Sequence, residues 1–200
     1  MVQDEWRQML ADALATNRGD HWLSWLHLGV MHHHAGDFAP ARQAWETSLA
    51  RHPSAWALRN LALMDKNPGL WLQAHQLAPA VIPLALETVQ ALLDAARPAD
   101  AIQVVVQLAP AARAHGRIRA LEARAALDLG QWRHAETILQ DNLVVPDLRE
   151  GELSLSELWY AVESQRLVES LRVPLDASII ERVRRECAVP THLDFRAATL

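Results

Sequence analysis

The sequence predicts an all-α protein, and three observations support this class. Only 7 of the 200 residues are glycine, whereas β-sandwiches and β-barrels need many tight turns. The β-branched residues that strands favour are sparse beside alanine and leucine. Apolar residues recur at helical spacing between regularly placed prolines and glycines. Half of the residues are apolar and 22% are charged, which is ordinary for a folded domain.

The segment from residue 22 to residue 53 predicts two helices joined by a tight turn. Apolar or small residues occupy one helical face over Trp25–His32. Gly36 suits a left-handed helix end, and Pro40 suits the first turn of the second helix. We expect Gly29 to let the two helices approach closely, with Ala41 meeting it from the second helix.

This pattern of residues resembles the tetratricopeptide repeat. The matching positions are Trp25, Leu28, Gly29, His32, Ala41, Trp45, Ser48 and Pro53. His32 and Ser48 stand where the repeat usually has tyrosine and alanine. The resemblance implies a helical hairpin that stacks on similar hairpins, with the tryptophans filling the seams between helices. We extend that expectation to the tryptophans at 25, 45, 56, 71 and 132.

Three less regular copies of the hairpin are predicted further along the chain. Their marker residues are Trp71, Ala74, Pro79, Ile102, Val105, Pro110, Gly130, Trp132, Ala135 and Pro146. The corresponding helices are predicted over 55–64, 68–77, 83–96, from Pro98 onward, over 118–129 and after Gln131. We expect Ser54 to cap the first of these helices.

A helix over 4–16 is predicted before the hairpins, and two helices are predicted after them. Ser154 and Glu157 form the pattern of a capping box for a helix to residue 171, and Asp176 suits the start of a helix over 177–187. From Pro190 onward there is no periodicity, so we expect this tail to pack across a surface or to be disordered.

The predicted fold is therefore a right-handed tetratricopeptide-like α-solenoid of about four helical hairpins. We expect residues 1–146 to contain the N-terminal helix and the hairpins. Residues 147–200 would form the C-terminal helical cap and tail. The two parts are expected to form one continuous domain.

A second resemblance covers most of the chain, from Trp22 to Phe195. It is to the C-terminal repeat region of large bacterial proteins whose N-terminal domain has unknown function and is linked to carbohydrate chemistry. The matching segments are 56–62, 116–119, 145–152, 155–159 and 193–196. This resemblance implies that the chain is a piece of a longer protein and that its partner is the missing N-terminal domain.

Charge and cysteine content exclude several classes of function. The net charge is −5 and the isoelectric point is about 6.0, so no overall basic field attracts nucleic acid. No signal peptide or membrane span is expected, and the single cysteine, Cys187, suits a reducing compartment, so we expect a cytoplasmic protein. Arg184 and Arg185 are expected to lower the thiol pKa somewhat, without making Cys187 reactive.

Candidate binding residues come from the expected concave groove, which the first helix of each hairpin lines in such solenoids. Alignment on the terminal prolines places the following residues toward it: His33, His34, Arg59, Asn60, Gln90, Asp94, Arg117 and Arg124, with Arg113 extending the arginine row. An arginine fork suits a carboxylate or phosphate, and the resemblance implies capture of a peptide carboxylate. The alternative is a solvated face, or ion pairs with Glu122, Asp128 and Glu152.

Two further clusters are expected to be structural. The histidines at 32, 33 and 34 point in three directions, so we expect His32 in the core, the other two at the surface, and no metal site. The carboxylates of Glu150 and Glu152 precede a helix N-terminus, where negative charge is favourable without any catalytic role. Phosphate loops, nucleophile elbows and thiol pairs are missing from the sequence, so no catalytic residue and no cofactor are predicted.

These observations predict a non-catalytic protein–protein interaction or scaffold module that binds a peptide or a partner domain. The alternative is an accessory C-terminal region of a larger carbohydrate-active enzyme, contributing stability or part of a substrate cleft. Self-association stays open, because exposed Trp6 and Trp159 on the terminal faces could drive it.

Overall fold

In the computed structural model, the described residues are 4–16, 18–145 and 148–196. All regular structure in these ranges is helical, which confirms the all-α class. The contacts divide the chain into two compact units, Met1–Ala91 and Leu92–Leu200, called unit 1 and unit 2, and each is described by itself. The sequence predicts that the hairpins end at residue 146 and that the C-terminal cap begins at residue 147. This division does not test that boundary, which stays a prediction.

Unit 1 consists of helices that follow one another with short connections. They are α1 (Asp4–Ala15), α2 (Trp22–His34), α3 (Phe38–Arg51), α4 (Ala55–Asp65), α5 (Pro68–Leu77) and most of α6 (Ile82–Asp94). Neighbours in sequence pack against each other, α2 on α3 and α4 on α5, as helical hairpins do. The helices predicted to be partners in the first two hairpins therefore contact each other, while the arrangement of the hairpins in a solenoid stays a prediction.

The first hairpin depends on the contact between Gly29 of α2 and Trp45 of α3. Trp45 is buried, and its indole N–H donates to the carbonyl oxygen of Leu26 at 3.2 Å. A Cβ on Gly29 would lie 2.9 Å from the indole Cε2 and still closer to Cδ1 and Nε1. The close approach at Gly29 is thus confirmed, and the nearest atoms belong to Trp45, while the expected contact with Ala41 stays a prediction. Gly36 has a φ of +85°, as the predicted helix end requires.

The second hairpin begins and ends as its capping residues predict. The hydroxyl of Ser54 accepts from the N–H of Ala57, and Asn67 caps α5, whose first residue is Pro68. Trp71 is buried in the core between α4 and α5. Trp56, however, is 45% exposed, so its assignment to a seam between helices is wrong.

Unit 2 contains the end of α6 and six further helices in the described ranges. They are α7 (Pro98–Gln107), α8 (Pro110–Arg113), α9 (Gly116–Asp128), α10 (Trp132–Gln140), α11 (Ser154–Leu171) and α12 (Ala177–Glu186), followed by a 3-10 turn at Thr191–Leu193. The short α8 was not predicted. Pro146, predicted to end the fourth hairpin, lies outside the described residues.

The C-terminal tail of unit 2 packs against the rest of the unit, and we call residues 190–196 the strap. This confirms the expectation that the tail packs across a surface, for the part of it that the structure describes. Leu193 is fully buried in a cluster with Leu139 and Val162. The carbonyl oxygen of Phe195 accepts from the N–H of Gly151 at 2.6 Å. The segment from Thr191 to Arg196 is therefore part of the core of this unit.

One capping prediction holds in unit 2 and another is wrong. Asp176 accepts from the N–H of Ile179 and caps α12. The capping box at the start of α11 does not form, because Ser154 is already the first helical residue and its hydroxyl donates to Glu152 at 3.0 Å. In the described part of the chain, no helix combines the length and the apolar content that crossing a bilayer requires.

Candidate functional site

A row of exposed residues runs along one side of α2. It consists of Leu23, His27, Val30 and His34, which we call the α2 row. The spacings of four, three and four residues keep all four within about 60° around a helix of 3.6 residues per turn. Leu23 and Val30 are 40% and 42% exposed, while Leu28 on the opposite side is buried. The α2 row is therefore an apolar surface interrupted by two imidazoles.

The same spacing recurs on α4, the first helix of the next hairpin. Trp56, Asn60 and Leu63 form the α4 row, and each stands 33 residues after Leu23, His27 and Val30 in turn. Trp56 and Leu63 are 45% and 50% exposed, and Asn60 is half-buried. Large apolar side chains are usually buried, so two helices that expose them at the same spacing are unusual.

The two rows flank one shared core. Leu26 of α2, Trp45 of α3 and Leu61 of α4 belong to the same buried cluster. Leu23, Val30, Trp56 and Leu63 remain exposed on the same two helices that supply Leu26 and Leu61 to this cluster. We call the two rows together the paired rows.

Five of the predicted groove residues lie in unit 1, namely His33, His34, Arg59, Asn60 and Gln90, and two of them belong to the paired rows. His34 ends the α2 row and Asn60 is the centre of the α4 row. His33 instead turns toward the hairpin, with its ring centre 5.3 Å from that of Phe38 and 5.6 Å from that of Trp45. Within the described residues, no hydrogen bond or ion pair joins these histidines to Arg59 or Asn60.

Arg59 is bound within the protein. Its Nε donates to Glu87 at 2.6 Å, and a second guanidinium nitrogen binds the other carboxylate oxygen. The guanidinium also lies 5.9 Å from the ring centre of Trp71. The hydrogen bonds to Glu87 raise the pKa of the Arg59 guanidinium above its ordinary value. Since its fork already holds a carboxylate, Arg59 is poorly placed to bind a second one.

Of the predicted groove residues in unit 2, Asp94 ends α6, Arg113 ends α8, and Arg117 and Arg124 lie on α9. Arg117 is half-buried, and Arg124 is exposed and pairs with Asp128 at 3.2 Å. Glu122 is buried and accepts from Arg113 at 3.1 Å, with His134 at 3.3 Å. Ion pairs with Asp128 and Glu122, the alternative that the sequence left open, are therefore present on this helix.

The apolar members of the paired rows were missed by sequence reasoning. Leu23, Val30, Trp56 and Leu63 are large and apolar, so hydrophobic periodicity assigns such residues to a core. One sequence signal could have identified them. Apolar, polar and apolar residues repeat at the same spacing on α2 and α4, the first helices of two successive hairpins.

The histidine cluster is tied into the first hairpin by an acidic residue from the turn. His32 is half-buried, and its Nδ1 lies 3.4 Å from the Asp37 carboxylate, which also accepts from Arg7 at 2.8 Å. His33 and His34 are exposed. In the described ranges, no three His, Cys, Asp or Glu side chains are grouped so that they could hold a metal ion.

The loop around Glu150 and the single cysteine are both held by structural contacts. Gly151 is fixed by Phe195, and the Glu152 carboxylate accepts from Ser154. Burial raises the pKa of the Cys187 thiol, and the Glu163 and Glu186 carboxylates add to the effect. The expectation that basic neighbours lower this pKa is wrong, since desolvation outweighs them.

Unit 2 also has a surface pocket of about 310 Å³ between α9, α11 and α12. Arg184 lines this pocket and donates a hydrogen bond to Glu157 at 3.0 Å. Its guanidinium lies 5.4 Å from the ring centre of Tyr160. Leu175 and Ile180 form part of its rim. Glu157 and Arg184 are therefore paired with each other, and Asp128, which also lines the pocket, pairs with Arg124.

Comparison with known proteins gives no match. No family model, curated protein or solved structure matches the chain at a significant level. The tetratricopeptide resemblance and the resemblance to the large bacterial proteins therefore stay predictions.

Proposed function

We propose that this chain is a non-catalytic interaction module of the tetratricopeptide-like solenoid type, which binds a peptide or a partner domain. The observation that carries the proposal is the exposure of four large apolar side chains in one register on α2 and α4. Exposed apolar residues that cluster in this way are typical of binding surfaces. An accessory role in a larger carbohydrate-active enzyme stays a prediction.

The expected binding surface consists of the paired rows and not of the arginines that the sequence predicted. A peptide lying across α2 and α4 would cover Leu23, Val30, Trp56 and Leu63 and remove their apolar area from water. Tryptophan is among the residues that most often dominate binding energy at interfaces, so Trp56 is the expected anchor. The helical hairpins would supply a rigid scaffold, which keeps the entropic cost of binding low.

The test is selection of peptides against the full chain. We expect a displayed random-peptide library to yield binders whose affinity falls at least about tenfold when Trp56→Ser and Leu63→Ser are combined. Leu77→Ser is the matched control, because Leu77 is 49% exposed but lies on the second helix of its hairpin. Circular dichroism should show that each variant remains folded.

Two results would contradict the proposal. One is a library that yields no specific binder to the folded chain. The other is a set of binders that lose as much affinity with Leu77→Ser as with the Trp56→Ser and Leu63→Ser pair.

A further inference from the structure

The outer side of α1 exposes two large apolar side chains. Trp6 and Met9 are 65% and 70% exposed, and no large apolar side chain in the described residues is more exposed than these two. Because three positions separate them, they lie about 60° apart around the helix and are neighbours on its surface. Tryptophan and methionine are enriched at protein interfaces, so this pair indicates a contact surface.

The helix that exposes this pair is fixed from its other side. Leu14 is buried in a cluster with residues of α2 and α3. The guanidinium of Arg7 donates to Asp37, in the turn between α2 and α3, at 2.8 Å. The exposed pair therefore lies on a helix that is packed against the rest of unit 1.

Two exposed carboxylates lie beside Met9 on the helix surface. Glu5 precedes Met9 by four residues and Asp12 follows it by three, and these are the spacings of neighbours on a helix. Seven positions separate the two carboxylates, so they lie on nearly the same line, about 10.5 Å apart along the axis. In the part of the chain that the structure describes, neither carboxylate pairs with a cation, and that of Asp12 accepts from the Gln8 amide.

Helix stability explains only one of these two carboxylates. Negative charge is favourable at the N-terminus of a helix, which suits Glu5, and unfavourable in the last turn. Asp12 lies in the last turn of α1, which contains no basic residue, and Arg18 lies beyond the helix end. The other charged groups of the helix, Asp4 and Arg7, pair with each other at 3.1 Å. A contact with a partner explains the position of Asp12 better than the stability of α1 does.

We propose that Glu5, Trp6, Met9 and Asp12, which we call the outer face of α1, dock a basic amphipathic helix of a partner protein. The apolar side of that helix covers Trp6 and Met9, and its lysine or arginine residues, two turns apart, meet Glu5 and Asp12. Charged residues beside an apolar seam set the choice of partner when helices pair. The outer face of α1 and the paired rows lie on different helices, so this surface goes beyond the function proposed above.

Charge favours this partner over the other candidates for the same surface. Two copies of α1 paired about a twofold axis would bring Glu5 and Asp12 of one copy beside the same carboxylates of the other, because such an interface uses the same patch twice. A bilayer surface and nucleic acid both present phosphates, which these carboxylates repel. The net charge of −5 adds attraction at long range for a basic partner.

The experiment uses three labelled helical peptides that share one apolar side and carry lysine, glutamine or glutamate at the two flanking positions. Their binding to the full chain is measured by fluorescence anisotropy at low and at high salt concentration. We expect the lysine peptide to bind most tightly and to lose affinity at high salt. Combining Trp6→Ser with Met9→Ser should reduce its affinity at least about tenfold. Combining Glu5→Gln with Asp12→Asn should reduce it about 2- to 30-fold.

Two control variants separate the outer face of α1 from other effects. The charge control combines Glu150→Gln with Glu181→Gln, which removes the same amount of negative charge at exposed sites in unit 2. The α4-row control combines Trp56→Ser with Leu63→Ser. Both controls should keep the affinity for the lysine peptide within about twofold, because salt screens charges at long range and the α4 row lies on another helix. Circular dichroism should show that every variant remains folded.

Several results would overturn this inference. The lysine peptide fails to bind, or the glutamine or glutamate peptide binds as tightly as it does. The charge control loses as much affinity as the variant of Glu5 and Asp12, so that net charge alone explains the binding. The affinity is lost in the α4-row control and kept in the variant of Trp6 and Met9, which would leave the proposed function intact and remove the outer face of α1 as a site. The free chain sediments as a dimer that the variant of Trp6 and Met9 dissociates, which would make a second copy the occupant.

Discussion

Replacing Gly29 by alanine tests how the first hairpin is packed. The added Cβ would lie 2.9 Å or less from three indole atoms of Trp45, whereas atoms in contact lie about 3.5–4.0 Å apart. The ring is 2% exposed, so it has to shift by roughly 1 Å within a packed core. Overpacking of this kind costs about 1–3 kcal/mol, and weakening the Trp45 hydrogen bond to Leu26 costs about 0.5–1.5 kcal/mol.

The helix itself gains about 1 kcal/mol from the same change, because alanine is a better helix former than glycine. We therefore expect Gly29→Ala to lower the free energy of unfolding by about 1–3 kcal/mol, measured by urea denaturation with far-ultraviolet circular dichroism. In a Trp45→Phe background the indole atoms are gone and the cost should fall by about 1 kcal/mol or more. A neutral or stabilising effect, or an equal cost in both backgrounds, would refute the packing argument.

Two further predictions concern a second glycine and a buried histidine. Gly116→Ala should lower the free energy of unfolding by at least about 2 kcal/mol, because the added Cβ would meet the backbone carbonyl of Val144. The control is Gly69→Ala, which should cost less than about 1 kcal/mol because its Cβ meets only the Asn67 side chain, at 3.1 Å. Equal losses in the two denaturation experiments would contradict this prediction. Burial lowers the pKa of His75 below its ordinary value of 6.5, and its Nδ1 has no hydrogen-bond partner. The neutral form of His75 is therefore favoured in the folded state. Its contribution to the free energy of unfolding should be complete above about pH 6.5 and should decrease as the pH drops below that value, by up to about 1.4 kcal/mol per pH unit. The His75→Leu variant should lose this part of the pH dependence in urea titrations between about pH 8 and pH 5, and an unchanged slope would show that other groups cause it.

Local signals predicted most of the helices. Proline at the start of α5 and α7, the capping side chains of Ser54 and Asp176, and the left-handed Gly36 all act within one turn of the chain, so the sequence alone carries them. The failed capping box at Ser154 is also informative. Its helix begins one residue earlier than the motif requires, and the serine hydroxyl donates to Glu152 instead of capping the helix.

The candidate site was harder to predict because exposure depends on tertiary packing. Trp56 and Trp71 are the same residue type in neighbouring helices, yet one is 45% and the other 4% exposed. The pairing of Arg59 with Glu87 joins residues 28 positions apart, and no local rule reports it. Periodicity finds which residues share a face, but it does not decide whether that face meets a neighbour or water.

The strap at residues 190–196 affects how the two units form during synthesis. Leu193 is fully buried, and His192 contacts the carbonyl oxygen of Leu139 across 53 positions, so the core of unit 2 closes only after this segment has left the ribosome. The hairpins of unit 1 join neighbouring stretches of chain, which favours rapid folding. At about 5–20 residues per second, the ribosome takes roughly 5–20 s to add the residues between the end of unit 1 and the strap. During that interval unit 1 can complete its fold while the apolar core of unit 2 is still open to chaperones.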